Sequence, residues 1–452
     1  MICPNCGYGV NRRAKTCPFC GNKIKRKRYI GRVLIILFLL ISSILVGAYA
    51  YFHVNLLAPV INSVLEVKYS MYPETRPTPA PTPEPTPAPS AWASSVVPYF
   101  SQRYLLNQIS EEQLGLFCQL YSSVKAFDSE CRFSSPITQE EAEQLVLLIH
   151  YECPELMHFS SDKKPSFLRT EDGLVNGIKL KYSLSKEEYS ARYVGCLTEI
   201  RSLAAQTENM TDLEKEAWAY EHLIQSVFLS LRSPDCDNAY GALVSGKANS
   251  DGIAQAMKWL FEEMGGSCLY VNGQNGPNSV IHGWNVIQLD GKYYHLDVSA
   301  DCRSSEKFKL TPLYCAYNVS EPFMAQSFPI EQNYASQFRL PRSVSMASSW
   351  HVGNRSYVAR GRDFAPVLTA QLEKGAEEHH EVGAVVSIWL QFEDAEDYAN
   401  CISSISSVMQ GWAKEQNYTF LANIRESSDF NTLRVDLTWQ SFQYYTKGET
   451  IY

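Results

Sequence analysis

A run of uncharged residues near the N-terminus divides the chain into two unequal parts. Residues 33–52 contain no Asp, Glu, Lys or Arg, and a helix of that length spans roughly 30 Å, the thickness of a bilayer's hydrocarbon core. A basic cluster precedes the run and none follows it, so the positive-inside rule predicts a cytoplasmic N-terminus. A cleavable signal peptide would have a shorter apolar core that ends in a small-residue site. The pattern predicts a single-pass anchor in the cell membrane, with a large extracytoplasmic C-terminal part. The basic cluster consists of Lys23, Lys25, Arg26, Lys27, Arg28 and Arg32.

Four cysteines at the start of the chain form two CxxC pairs. Cys3, Cys6, Cys17 and Cys20 have the spacing that closes a tetrahedral shell around Zn²⁺. Four thiolates leave no position for water, so such a site is structural. A redox-active pair of dithiols is the alternative interpretation. The arrangement resembles the short zinc ribbons at the N-termini of many bacterial membrane proteins, which implies a structural Zn²⁺ and a cytoplasmic partner that the sequence does not identify.

A proline-rich segment follows the predicted membrane span. Between residues 73 and 89, proline alternates mostly with Thr, Ala and Glu. Proline fixes φ and lacks an amide donor, so this stretch is predicted to be an extended polyproline II spacer, roughly 50 Å long at about 3.1 Å per residue. A proline-based recognition motif is the alternative.

Length and charge indicate several folded domains and argue against one class of partner. A chain of 452 residues suggests two or three domains. A net charge of -8 argues against nucleic acid, because duplex binding relies on Lys and Arg to neutralise phosphate. We expect a multidomain α+β protein. Its predicted segments are a zinc ribbon at 1–25, a basic flank and transmembrane helix at 26–54, a stalk and Pro-rich linker at 55–92, a helical subdomain at 93–205, an α+β core at 206–305 and a small α+β domain at 306–452.

Helix-start signals dominate the region after the linker. A Ser or Thr followed three residues later by Gln or Glu forms a capping box, which marks a helix N-terminus. Another helix is predicted from Lys186 to about Ala205. The region to residue 205 is therefore expected to be mainly helical, with short extended pieces near Leu180. The predicted capping boxes are Ser110 with Gln113, Thr138 with Glu141, and Thr211 with Glu214.

The last third of the chain has a different pattern. Val386, Ile388, Leu390 and Phe392 alternate with other residues, as expected of a half-buried strand. A helix from about 394 to 414 is predicted next, followed by strands near 419–425 and 433–439. This segment is expected to be a small α+β unit without catalytic residues.

The segment from 239 to 297 has the most specific motifs. It contains AYGALVSGKANSDGIAQAM, then HGWN at 282–285, then DGKYYHLD at 290–297. The stretch from about 210 to 297 resembles the transglutaminase-like branch of the papain-like cysteine enzymes. In that family a Cys opens a helix, a His follows in an HAWN-type motif at a strand start, and an Asp lies on the neighbouring strand. The resemblance implies a transglutaminase-like α+β core, with Ser250 in the place of the cysteine.

The family's chemistry assigns roles to three positions. A thiol at a helix N-terminus beside an imidazolium is stabilised as a thiolate. The resemblance implies that His282 is the general base and that Asp297 orients it. A hydroxyl at residue 250 is far less acidic and forms no such ion pair. Ser250 is therefore interpreted as a helix N-cap in a degenerate site, with a catalytic serine as the alternative. His282 and Asp297 would then either brace two strands or keep a function.

Three further residues near the motif are given no catalytic role. Asp290 and His295 are expected to be turn and surface residues. Cys268 is a poor replacement nucleophile, because it lies in a strand-like run with no helix N-terminus to acidify its thiol.

These patterns favour a membrane-anchored protein without catalytic activity, whose cleft binds peptide or cell-envelope material. The alternative is an active acyl-transfer enzyme (a peptidase, an amidase or a cross-linking enzyme) that uses Ser250, His282 and Asp297. A third hypothesis is a structural envelope protein.

Overall fold

The computed structural model describes residues 103–442, except 160–164, 275–280, 304–310 and 380, together with Thr16. The predicted zinc ligands, membrane span and proline-rich spacer lie outside these residues. Within the described ranges, no helix is both long and apolar enough to cross a membrane. The fold is mixed α+β, which confirms the predicted class.

The first part of the described chain combines two helices with a small sheet. Both helices begin at the predicted capping boxes, since Ser110 and Thr138 each accept from the backbone amide three residues on. The antiparallel sheet has the order β1-β3-β2. The prediction of a mainly helical region missed β1 and β2. The elements are α1 (Glu111–Ala126), β1 (Glu130–Ile137), α2 (Gln139–Glu152), β2 (Ser166–Arg169) and β3 (Val175–Lys179).

The middle part packs helices against a second antiparallel sheet. The predicted helix from Lys186 and the predicted cap at Thr211 are both confirmed. Strands β6, β7 and β8 are neighbours in sequence order, and α6 packs across β6 and β7. Strands β4 and β5 form a separate parallel pair. The elements are α3 (Lys186–Ala204), α4 (Asp212–Ser226), β4 (Phe228–Leu229), α5 (Ala239–Leu243), β5 (Lys247–Ala248), α6 (Ser250–Glu263), β6 (Ser267–Gly273), β7 (His282–Leu289) and β8 (Lys292–Leu296).

A connecting segment of short helices lies against this second sheet. His295 and Val319 exchange two backbone hydrogen bonds, and the Asp297 amide donates to the Ala316 carbonyl. Further along, the Glu331 amide donates to the Asn272 carbonyl at the end of β6. The segment contains α7 (Glu321–Met324), α8 (Gln332–Gln337), α9 (Trp350–Gly353) and β9 (Tyr357–Val358).

The last part is a sheet of order β11-β12-β10-β9 with two helices. Val386, Ile388, Leu390 and Phe392 are buried, which confirms the alternation predicted from the sequence. The predicted helix and the two later strands are also confirmed. The elements are α10 (Ala365–Glu378), β10 (Val385–Phe392), α11 (Ala395–Gln416), β11 (Tyr418–Ser427) and β12 (Thr432–Phe442).

Three hydrophobic clusters hold these parts together. The first joins residues of α1, α2 and β1 to residues of β6, β7 and the connecting segment. The second lies between α3, α4, α6 and β8. The third lies between the last sheet and its helices. The domain boundaries remain predictions, and the first cluster draws side chains from both sides of residue 205.

A buried cation fixes α6 to its neighbours. The Lys258 ammonium lies 2.7 Å from Glu152 of α2 and 2.5 Å from Glu262 of its own helix. It also donates to the Cys268 carbonyl at 2.8 Å. Burial alone would lower the pKa of Lys258, but the two carboxylates outweigh burial and raise it. One lysine therefore connects two helices and a strand.

Candidate functional site

The N-terminus of α6 brings Ser250 to the edge of the second sheet. Asn249 is the N-cap, and its side-chain oxygen accepts from the Gly252 amide at 3.0 Å. The interpretation of Ser250 as the N-cap is therefore wrong, because the side chain of Asn249 accepts from the free Gly252 amide in its place. Ser250 is the first helical residue, and its hydroxyl accepts from the Gly283 amide at 3.3 Å.

His282 and Asp297 form the tightest contact of the site. The His282 Nε2 atom lies 2.6 Å from the Asp297 Oδ2 atom. Asp297 is buried, and its other oxygen accepts from the Ser299 amide and hydroxyl and from the Ala300 amide. The carboxylate is thus fixed on both oxygens. The imidazole keeps Nδ1 as the ring nitrogen that Asp297 does not engage.

The surroundings of His282 favour its charged form. Burial would lower the pKa of His282, but the charge of Asp297 and its hydrogen bond outweigh burial. The pKa is therefore raised above its ordinary value. A His whose pKa is raised by a fixed carboxylate suits both a general base and a structural ion pair.

The structure brings the three predicted positions together around one strand start. His282 opens β7, Asp297 directly follows β8, and the Ser250 hydroxyl contacts the residue after His282. Among the described residues, no hydrogen bond joins the Ser250 hydroxyl to the His282 ring. The arrangement therefore holds a complete base-and-acid pair beside a hydroxyl that is bonded elsewhere.

Two residues of the HGWN motif support the strand that carries His282. Trp284 and Asn285 are both buried. The Asn285 amide donates to the carbonyls of Ala254 at 2.9 Å and Leu269 at 3.2 Å, so it links α6 to the sheet. The Trp284 indole donates to the His295 ring at 2.8 Å.

His295 is not a surface residue, contrary to the prediction. Its ring is buried on β8, and burial lowers its pKa to about 3, so it is neutral and accepts from Trp284. Asp290 does lie in an exposed turn, at φ 49°. Cys268 lies in β6 as predicted, and burial raises the pKa of its thiol, so it is no nucleophile.

An aromatic residue outside the motif covers the imidazole. The ring of Phe328 stacks on His282 with ring centroids 4.3 Å apart. The ring centroid of Phe430, which follows β11, lies 5.8 Å from that of Phe328. No local sequence signal predicts these contacts, because both residues follow the motif by long stretches of chain. The cover shields the His282–Asp297 hydrogen bond on one side.

A second carboxylate lies beside the predicted site. The Asp251 Oδ1 atom accepts from the Tyr270 hydroxyl at 2.8 Å and from the Asn272 amide at 3.0 Å. Sequence reasoning missed this group, although Asp251 stands next to Ser250. The ring of His150, from α2, lies 5.7 Å from that of Tyr270.

A cavity of about 300 Å³ has Gln255 of α6 in its lining, together with His150, Asp235 and Asn238. None of the predicted site residues Ser250, His282 and Asp297 lines it. His150, whose ring lies near that of Tyr270, is the residue that the cavity shares with the surroundings of Asp251. A space of this size fits a short peptide side chain.

No metal centre is formed by the described ranges, since they contain no group of three or more His, Cys, Asp or Glu residues placed to hold an ion. The proposed ligands Cys3, Cys6, Cys17 and Cys20 lie outside them, so the zinc ribbon stays a prediction.

Comparisons with known proteins give distant structural similarity. No protein-family model and no curated protein matches the chain. A crystal structure described as that of a TGase is 11% identical, with a TM-score of 0.24, over 52% of this chain and 59% of its own. A candidate protease from Parabacteroides distasonis is 8% identical, with a TM-score of 0.22, over 62% of this chain and 57% of its own. The chain thus spans a little over half the length of each, and similarity at this level carries no argument about its activity.

Proposed function

We propose that the protein is a membrane-anchored, transglutaminase-like protein that lacks acyl-transfer activity and binds peptide or cell-envelope material in its cleft. One observation carries the proposal. The Ser250 hydroxyl, at the place of the family's nucleophile, accepts from the Gly283 amide, while the His282–Asp297 pair beside it is complete.

Elementary acidity supports the loss of catalysis. A thiol at a helix N-terminus ionises near neutral pH, whereas a hydroxyl there does not. Serine hydrolases overcome this by a hydrogen bond from the hydroxyl to the base, and no such bond joins Ser250 to His282 within the described chain. Because Asn249 provides the cap, Ser250 is not needed to start the helix.

The anchoring is part of the same proposal. Residues 33–52 would span the membrane, with the N-terminus in the cytoplasm and the C-terminal domains outside. Cys3, Cys6, Cys17 and Cys20 would hold a structural Zn²⁺ on the inner side, which would fix the fold of the ribbon. The ribbon would then present a rigid surface to a cytoplasmic partner.

A binding assay tests the proposed function. The full-length chain, purified in a nonionic detergent, should bind cell-wall fragments or peptides with saturation and leave them unchanged. Ser250→Ala should bind equally well, because the hydroxyl contacts the Gly283 amide of its own chain and is not proposed to contact the ligand. Turnover of any of these ligands that disappears in Ser250→Ala would refute the proposal.

An active acyl-transfer enzyme is the second candidate. The 2.6 Å contact of His282 with Asp297 favours it, because this is how an orienting acid holds a general base. Ser250 would attack the acyl carbon, and His282 would accept the hydroxyl proton and return it to the leaving group. A fluorophosphonate probe should then label Ser250, and labelling should disappear in His282→Ala. Absence of labelling in the folded protein would reject this candidate.

A further inference from the structure

A cavity of about 800 Å³ lies against the last sheet, on the face that α10 and α11 do not cover. Outward-facing residues of β10, β11 and β12 form one wall. The opposite wall comes from residues 300–303, which follow β8, and from Thr311 and Leu313 of the connecting segment. The residues that line this cavity differ from those at the start of α6 and from those of the smaller cavity. It is therefore a separate candidate site.

The strand register places two arginines side by side in this cavity. Arg425 of β11 is directly opposite Arg434 of β12, and Arg434 is directly opposite Trp389 of β10. Residues that are directly opposite in an antiparallel pair point to the same face, with Cβ atoms about 4.5–5.5 Å apart. Like charges in this arrangement destabilise the pairing of the strands. An anion bound between the two arginines would offset that repulsion.

Neighbouring side chains hold the Arg434 guanidinium in place. Its Cζ atom lies 4.6 Å from the centroid of the Trp389 ring. Its Nε atom donates to Asp436 at 2.8 Å, and its Nη2 atom donates to the Ser387 hydroxyl at 2.9 Å. The side chain is 12% exposed. Because the Nη1 group has no acceptor within the described part of the chain, one edge of this fixed guanidinium is available to a ligand.

Two further guanidinium groups line the cavity. Arg425 donates through Nη1 to the Thr311 carbonyl at 3.1 Å, and Arg303 donates through Nη2 to the Gln225 carbonyl at 3.0 Å. Neither arginine forms an ion pair with another described residue. The Nε and Nη2 groups of Arg425 stay unused, and this edge of a guanidinium can donate two parallel hydrogen bonds to an oxyanion.

The lining of the cavity has more positive than negative charge. Its two carboxylates are those of Asp436 and Asp301. Asp436 pairs with Arg434 at 2.8 Å. Asp301 is buried and accepts hydrogen bonds from a tyrosine hydroxyl and a backbone amide of the surrounding chain. The charges of the other two arginines are therefore without a carboxylate in contact, and a ligand with two negative charges would balance them.

We propose that this cavity binds a phosphate monoester between Arg425 and Arg434. A phosphate monoester carries a charge of about -1.5 to -2 near neutral pH and has three strong acceptor oxygens. The planar fork of an arginine matches the geometry of such a group. A volume of about 800 Å³ also leaves room for the molecule that carries the phosphate. The proposal is independent of the binding function assigned to the cleft at Ser250.

Four small probes test the site. The full-length chain in nonionic detergent is titrated with inorganic phosphate, glucose 6-phosphate, glucuronate and glucose, and binding is followed by ligand-observed NMR. Both phosphate probes should bind with saturation. Glucuronate, with one charge, should bind at least about tenfold more weakly than glucose 6-phosphate, and glucose should not bind measurably. Failure of both phosphate probes to saturate would overturn the proposal, and so would equal binding of glucuronate and glucose 6-phosphate.

Variants of two exposed arginines separate the site from a general charge effect. Arg425→Gln should weaken binding of glucose 6-phosphate at least about tenfold, because it removes a charge-assisted pair of hydrogen bonds. Arg362→Gln removes the same charge from an exposed loop before α10, outside the cavity lining, and should leave binding within about twofold. Equal binding to wild type and Arg425→Gln would overturn the proposal.

A measurement on the wild-type chain covers the case in which Arg425→Gln fails to fold. Phenylglyoxal modifies accessible guanidinium groups, and mass spectrometry of the peptides gives the rate at each arginine. Saturation with glucose 6-phosphate should slow modification of Arg425 and leave that of Arg362 unchanged. An unchanged rate at Arg425 would reject the site. A slower rate at both arginines would also reject it, because that result would show unspecific binding of the anion.

Discussion

At the scale of single residues, the site depends on which polar group each side chain engages. The Ser250 hydroxyl engages a backbone amide, and His282 engages Asp297 through Nε2. Asn249 takes the capping task that serine often performs. With these three hydrogen bonds, Ser250, His282 and Asp297 lie close together without forming a hydrogen-bonded triad.

Asp297→Asn should lower the pKa of His282 relative to wild type. The charge and hydrogen bond of Asp297, which oppose the effect of burial most strongly, are then lost, and only the smaller effects of the Asp251 and Asp429 charges still raise the pKa. Because the pKa is raised in the folded wild type, the pair's stabilisation is complete below about pH 6.5, the unfolded-state pKa, and is lost as the pH rises through the folded value. NMR titration of the His282 ring measures the shift. A His282 pKa in Asp297→Asn equal to that of wild type would contradict this account, and Asp290→Asn is the matched control.

Ser250→Cys should produce a thiol whose pKa lies below the ordinary value of about 8.5. The α6 N-terminus and the charged His282 ring both favour the thiolate. Alkylation by iodoacetamide at residue 250, measured by mass spectrometry across pH, reports the pKa. The double variant Ser250→Cys with His282→Gln should shift it back upward. A thiol in Ser250→Cys that reacts no faster than a free cysteine would mean that the site no longer supports thiolate chemistry.

At the scale of elements, local sequence patterns predicted the positions of helices and strands, whereas contacts between distant segments could not be predicted from them. Capping boxes located α1, α2 and α4, because a cap is specified by residues three apart. The resemblance of the three motifs predicted that the start of α6 at Ser250 and the start of β7 at His282 lie near Asp297. β1 was missed although Cys131 and Phe133 alternate with exposed residues, since the run is short and includes a proline. Phe328 and Tyr270 could not be predicted as site residues, because their partners lie on other segments.

Lys258→Met should destabilise the packing of α6 by about 3–5 kcal/mol, since it leaves the buried carboxylate of Glu152 and the partly buried carboxylate of Glu262 without their ammonium partner. Lys374→Met is the control, because Lys374 forms an exposed pair with Glu378, for which at most about 0.5 kcal/mol is expected. Native-state hydrogen exchange of peptides from α6 measures the opening free energy. Equal protection of α6 in the two variants would show that the buried cation is dispensable.

At the scale of the whole molecule, a buried acid of α4 holds the connecting segment against the helices. Glu216 of α4 is fully buried. It accepts from the Tyr317 hydroxyl at 2.6 Å and the Asn318 amide at 3.3 Å. Its other oxygen has no donor within the described residues. Burial raises the pKa of Glu216 to about 8, against the two hydrogen bonds, which lower it.

Wild type should lose stability as the pH rises from about 4.5 to about 8, and Glu216→Gln should lose less. The folded chain holds a proton on Glu216 that the unfolded chain releases near its lower pKa, so the stabilisation is complete below that value and is lost as the pH rises through about 8. The slope attributable to this group reaches up to about 1.4 kcal/mol per pH unit. Urea midpoints across pH measure it. Glu208→Gln, in an exposed turn, should follow wild type, and parallel curves for all three chains would contradict the assignment.

The stacking of Phe328 on His282, supported by Phe430, determines how the protein can be dissected. Both rings come from segments beyond residue 305, where the motif-bearing stretch ends. A fragment truncated there would lose this apolar cover, and water would compete for the hydrogen bond between His282 and Asp297. Its imidazole, 21% exposed in the intact chain, would be exposed to water more widely. The activity of such a fragment, or its lack of activity, would therefore not report that of the intact chain.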